Sequence, residues 1–130
     1  MLDADVIISG EKGVFDLLAW IASMPNEQFE VATITVAELW HGVVRASRPH
    51  QAKRQQFLEA IIAGLPIIPY TEQTAYEHAR LWGELEASGK MIGFYDVIVA
   101  ATALERGSSL ATFNQRHFAQ VKGLKLILPQ

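Results

Sequence analysis

The apolar and polar positions of this chain change period repeatedly, between the two-residue rhythm of a strand and the 3.6-residue rhythm of a helix. The opening MLDADVIIS is a short apolar run that reads as a first strand. Its two aspartates, Asp3 and Asp5, would then project from one face near the strand end. Val14, Leu17, Leu18 and Ile21 follow the i, i+3, i+4, i+7 spacing, so residues 12–23 are predicted to form an amphipathic helix ended by Pro25. FEVATI is rich in β-branched residues and reads as a short buried strand. A helix is expected from near Thr35, carrying Ala37, Leu39 and Val43, to the Arg48-Pro49 break. QAKRQQFLEAIIAGL is the next helix, stopped by Gly64 and Pro66, and PIIPY is a proline-bounded strand.

Within TEQTAYEHARLWGELEASG, Thr74 and Glu77 suggest a capping box, and Ala75, Ala79, Trp82 and Leu85 form the stripe. Ser88-Gly89 closes that helix. FYDVIVAATALERG is helical and closed by Gly107; SLATF and LKLIL are the last strands, separated by NQRHFAQVKG. Strands alternating with helices predict an α/β fold with a mostly parallel central sheet covered on both faces. With no repeat, linker or low-complexity tract, residues 1–130 are expected to form one domain.

Composition narrows the chemistry. Half of the residues are hydrophobic and 19% are charged, which fits a globular chain. There is no cysteine, which excludes a disulfide framework, a thiolate zinc site and a cysteine nucleophile. No apolar stretch is long enough for a membrane helix and the start lacks a signal-peptide pattern, so a cytoplasmic location is the default expectation. The net charge of −3 argues against general coating of nucleic acid. One segment departs from that average. Between Glu38 and Glu59 there is no acid, while Arg45, Arg48, Lys53 and Arg54 all fall there. It reads either as a solvated helical face or as a contact for RNA phosphates or an acidic partner.

The acids themselves are not scattered. In an open α/β sheet the ligand site lies beyond the carboxyl ends of the strands. Asp3 and Asp5 end the first strand, Glu38 follows VATI, and Asp96 opens the helix before SLATF. Asn114 follows SLATF and offers a further oxygen. Convergent carboxylates repel one another by roughly 4 kcal/mol per pair at 4 Å and an effective dielectric near 20. A hard divalent cation such as Mg²⁺ removes that cost, and a phosphodiester is the fitting substrate. Each acid also has a plainer reading. MLDAD suits a frayed terminus whose acids face water. Thr35-x-x-Glu38 matches a capping box, Asp96 suits the positive end of a helix dipole, and Asp16 reads as a solvated helical residue.

The blocks LDADVIIS, TITVAELWHGV and IGFYDVIVAATALERGSSLATFNQRHF resemble, in order and spacing, the PIN domain, and most closely the VapC-type ribonuclease toxins of prokaryotic toxin–antitoxin pairs. The third block is the most specific: an Asp-led helix with an Ala-Ala pair, running into a strand that ends Thr-x-Asn and then a Phe. The resemblance implies a three-layer α/β/α PIN-like domain with a metal-dependent endoribonuclease site using Mg²⁺ or Mn²⁺. On this carry-over Asp3, Glu38 and Asp96 are the catalytic, metal-binding acids. Asp5 matches a supporting position often held by asparagine, and Thr112 matches a threonine beside the carboxylates. Asn114 matches the last acidic position, a departure that weakens support for a second metal. Only Met1 and Leu2 precede Asp3, so an abbreviated first strand and a truncated or ragged N-terminus are expected. The resemblance further implies an RNA substrate, a homodimer, and a VapB-like antitoxin whose C-terminal segment lies beside the active site. Arg45, Arg48, Lys53 and Arg54, with Trp40 and Phe57, are the candidates for that contact.

Two rival readings stay open. A haloacid-dehalogenase-type phosphatase also begins with an apolar run ending Asp-x-Asp, but it needs later aspartates, and after Asp16 only Asp96 remains. A PIN-fold RNA-binding or regulatory module with weakened chemistry is the other, and Asn114 is the residue that favours it. His41, His50, His78 and His117 lack metal-ligand spacing and read as surface or core residues. Ser108-Ser109 has no general base that would support a serine hydrolase.

Overall fold

The computed structural model describes all of residues 1–130. In chain order it contains α1 (Ala4–Glu11), α2 (Leu17–Ala22), β1 (Val31–Ala32), α3 (Thr33–Arg45), α4 (Arg48–Ala63) and β2 (Ile67–Ile68). These are followed by α5 (Glu72–Ser88), α6 (Phe94–Arg106), β3 (Leu110–Ala111), α7 (Gln115–Phe118) and β4 (Leu126–Ile127). The strand ladders are short and all parallel: β1 pairs with β2, and β3 with β4. Residues 1–3 join the two ladders. Leu2 N–H donates to Glu30 O at 2.8 Å, Ala111 N–H to Met1 O at 2.8 Å, and Asp3 N–H to Ala111 O at 2.9 Å.

Strand periodicity explains how these few residues build a core. Along each strand, neighbouring side chains point to opposite faces. Met1, Ala32 and Leu110 enter one apolar cluster with Leu81, Leu85, Val99 and Phe118. Leu2, Val31 and Ala111, their immediate neighbours, enter the other with Val6, Leu17, Leu39 and Leu58. Helices α5 and α6 thus supply one cover, and α1 to α4 most of the other, which is the expected α/β/α layering with a parallel sheet. Fully burying each large aliphatic side chain contributes about 1.5–3 kcal/mol. In α6 every residue from Val97 to Ala103 is buried, and the alanines let the helix approach its neighbours closely.

Local chemistry moved several boundaries. The opening apolar run is mostly helix: only Leu2 makes a β-bridge, and Ala4–Glu11 is α1. Asp3 caps it, its Oδ1 accepting from Ala4 N–H at 2.9 Å, while Ala4, Val6 and Ile7 turn inward. Asp3 and Asp5 therefore do not share a strand face, and Asp3 is buried rather than frayed. The helix expected over 12–23 is only Leu17–Ala22. Gly13, at φ +75°, ends the preceding turn in a conformation that favours glycine. Val14 and Leu18 are 78% and 63% exposed, and Leu17 and Trp20 are the residues that pack. Asp16 is exposed, as expected, but it stands at the N-cap of α2 and not within the helix, accepting from Ala19 N–H at 3.1 Å.

Helix α3 begins at Thr33, two residues earlier than expected, and α4 takes Pro49 into its first turn, where no intrahelical N–H is needed. The capping box of α5 is Thr71 with Thr74, not Thr74 with Glu77. Its buried face is Thr74, Leu81 and Leu85, whereas Ala79 and Trp82 are exposed.

Candidate active site

Four carboxylates meet at the carboxyl edge of the sheet. Asp3 ends the first extended segment and is 5% exposed. Its Oδ1 is taken by the Ala4 N–H cap, and its Oδ2 accepts from Thr112 Oγ1 at 2.8 Å. Asp5, in the first turn of α1, uses Oδ2 to accept from Phe113 N–H at 3.0 Å, and lies 3.2 Å from Thr112 Oγ1. The Thr112 hydroxyl has one proton for these two acids and itself accepts from Asn114 N–H at 3.0 Å. That incoming bond turns the proton toward the carboxylates. Thr112 follows β3 and is fully buried, so the clamp is rigid.

Glu38 and Asp96 arrive on two other helices. Because α3 starts at Thr33 with Ala32 as its N-cap, Thr35 lies inside the first turn and Glu38 inside the second. The Thr35–Glu38 capping box is absent: Thr35 Oγ1 is buried without a partner, and so is Glu38 Oε1. Capping does not account for Glu38. Asp96 sits in the first turn of α6, with Gly93 as N-cap. A Cβ at Gly93 would stand 3.2 Å from Asp96 Oδ2, so glycine leaves room for the carboxylate.

The electrostatics follow from this crowding. Burial first, then Asp5, raises the Asp3 carboxyl from 3.8 to about 6, with Asp96 adding to the effect and Thr112 opposing it. Burial first, then Asp3, Asp96 and Asp5, raises Glu38 from 4.5 to about 7. Burial also raises Asp5 and Asp96, the latter opposed by His117. All four acids resist ionisation in the folded chain, and Asp5 Oδ1 and Glu38 Oε1 are buried oxygens with no donor. Buried lone pairs without donors are costly, and a hard cation is the partner that such oxygens suit. No three of these side chains stand together as a ready-made metal-ligand group, so an ion would be held by few of them at once. The set fits an ion held openly by a few carboxylates and completed by water, as Mg²⁺ is.

The structure brings Asp3, Asp5, Glu38, Asp96 and Thr112 together. Asn114 contributes through its backbone N–H; it caps no helix with its side chain, which is exposed. Among the basic residues, Arg45 and Arg54 line a small cleft with Glu38, and Arg54 is already committed to Glu11 at 3.3 Å and to Gly42 O at 3.2 Å. Arg48 and Lys53 are exposed on α4 outside that cleft. Trp40 and Phe57 pack against the core. His117 was not expected here. Its Nε2 lies 3.0 Å from Asp96 Oδ2 and 3.2 Å from Gly93 N–H. One ring nitrogen cannot donate to Asp96 and accept from Gly93 together, so the tautomer decides which bond forms. The signal in the sequence was its place just beyond a strand end, where the acids also fall.

These acids line the carboxyl edge of a parallel sheet in an α/β domain. The PIN domain family model matches residues 1–124, and the chain belongs to the PIN domain family. The VapC ribonuclease Y4jK of Sinorhizobium fredii is 33% identical, over 99% of this chain and 96% of its own length. The crystal structure of VapBC2 from Rickettsia felis, bound to a DNA fragment from their promoter, superposes with a TM-score of 0.92 at 23% identity. It covers 100% of this chain and 98% of that one, and at this identity shows the fold. VapBC-5 from Mycobacterium tuberculosis, a member of the VapBC family of toxin–antitoxin systems, gives 0.68 at 29% identity over 75% and 79% of the two chains.

Proposed function

We propose that this chain is a metal-dependent endoribonuclease, the toxin of a toxin–antitoxin pair, which hydrolyses RNA phosphodiester bonds and is held by a VapB-like antitoxin. The likeness to VapC ribonuclease Y4jK and to the VapBC-5 toxin–antitoxin structure supports the activity and the partner. The observation that carries the chemistry is Glu38: a half-buried acid raised to about 7 by burial and three other acids, with an orphaned oxygen.

Asp3, Glu38 and Asp96 are the residues that would hold Mg²⁺ or Mn²⁺. When bound, such an ion supplies positive charge for the phosphoryl oxygens and an acidified water for in-line attack. The protein's own part is positioning. Thr112 fixes Asp3 Oδ2, Phe113 N–H fixes Asp5 Oδ2, and Asn114 N–H sets the direction of the Thr112 hydroxyl. His117 restrains Asp96.

Thermal melting with and without Mn²⁺ tests this reading, with RNA cleavage in parallel. At a hundredfold excess over Kd, wild type is expected to gain about 2.7 kcal/mol, roughly 10 °C for a chain of this size. Asp96→Asn gains less, and EDTA abolishes cleavage. Cleavage that persists in EDTA, or in Asp3→Asn, would overturn the proposal.

A further inference from the structure

A polyanion approaching four carboxylates is repelled, so an RNA-cutting site needs positive charge close by that is not already spent on its own acids. Two recesses flank the acids. The one beside Glu38 contains Lys12, Arg45 and Arg54, but Glu11 and Glu38 line it too, and Arg54 is paired with Glu11. Its positive charge is largely compensated. The recess beside Asp96 is different. It encloses about 340 Å³, and its polar lining is Lys90, Asn114, Arg116, His117 and Gln120, with no carboxylate. Lys90 and Arg116 are exposed, and neither forms an ion pair. His117 belongs to both places: it lines the recess and touches Asp96 at 3.0 Å.

We infer that this recess is a phosphate subsite, in which Lys90 and Arg116 bind the RNA backbone next to the phosphodiester being cut. The guanidinium of Arg116 suits two phosphate oxygens, and Lys90 acts as a second point charge. The amides of Asn114 and Gln120 add neutral donors without introducing repulsion. Met91 and Ile92 give the recess an apolar wall against which a ribose or base can lie. The inference rests on the ribonuclease reading and adds to it where the strand runs.

The test is the salt dependence of binding for a short labelled single-stranded RNA, followed by fluorescence anisotropy in EDTA so that nothing is cut. Each phosphate neutralised in a single strand contributes about 0.7 to the slope of log K against log salt. Lys90→Ala and Arg116→Ala should each lower the slope by about 0.7, and the double variant by about 1.4, with Arg116→Lys recovering most of the single loss. Lys125→Ala is the control, because its carbonyl pairs with Leu110 at the opposite end of the β3–β4 ladder; its slope should not change. Melting curves confirm that each variant is folded.

An unchanged slope in the double variant, with Mn²⁺ stabilisation intact, overturns the subsite and leaves the nuclease reading standing. Wild-type protein that gains stability from Mn²⁺ but neither binds RNA in EDTA nor cleaves it with Mn²⁺ removes both. Displacement of RNA by inorganic phosphate at matched ionic strength, lost in the double variant, would assign the recess to a free anion instead.

Discussion

Replacing Asp3 by asparagine should stabilise the metal-free protein while destroying its function, and the gain should depend on pH. Asp3 titrates at about 6 in the folded chain against 3.8 ordinarily, so the native state holds its proton more tightly than the unfolded state does. A raised carboxyl contributes a penalty that is absent below the unfolded value and complete above the folded one. Stability of the wild type therefore falls as pH rises through that window. Fully ionised, the penalty is about 3 kcal/mol. Asparagine carries no charge, and its oxygen can still accept from Ala4 N–H as an N-cap. Its amide replaces Oδ2 as the partner of Thr112 Oγ1, which costs about 1 kcal/mol if the geometry is imperfect. It also relieves Glu38, for which Asp3 is the largest charge effect. Urea denaturation in EDTA should show Asp3→Asn ahead by about 1–3 kcal/mol near pH 8 and by less than about 1 kcal/mol near pH 4. With saturating Mn²⁺ the order should reverse, because only the wild type gains binding energy. An equal gap at both pH values, or a less stable variant near pH 8, would refute the crowded-carboxylate account.

Two further substitutions test the packing that holds the acids. Thr35 is completely buried and its hydroxyl lacks a partner, so Thr35→Val, nearly the same shape, should raise stability by about 1–2 kcal/mol; a lower urea midpoint would mean that the hydroxyl has a use. A Cβ on Gly10 would lie 2.8 Å from Leu17 Cβ, forcing α1 and α2 apart. Gly10→Ala should cost about 1–3 kcal/mol despite alanine's better helix propensity, and an unchanged melting temperature would show that the two helices are free to separate.

The alternation of strands and helices was readable because each long helix carries an apolar face and each buried strand a β-branched run, and these are local properties. The sheet-edge rule applied to that order drew Asp3, Asp5, Glu38 and Asp96 to one edge, and the family resemblance picked Asp3, Glu38 and Asp96 from among them. Where the sequence misled, the deciding atoms lay elsewhere in the chain or one residue away. MLDADVIIS has the composition of a strand, yet only Leu2 finds a partner strand, because Ala111 and Glu30 offer backbone groups for just those few residues. Once the ladder stops, Asp3 caps a helix. Thr35 and Glu38 have capping-box spacing, but a helix that starts at Thr33 places the pair inside it, and the start is set by where β1 ends against β2. Thr112 reaches Asp3 across 109 residues, and His117 reaches Asp96 from a different segment. Residue identities and local periodicity are determined by the sequence itself. Which hydroxyl or imidazole meets which carboxylate is decided by how the layers pack, because a hydrogen bond depends on ångström-scale placement that no local pattern encodes.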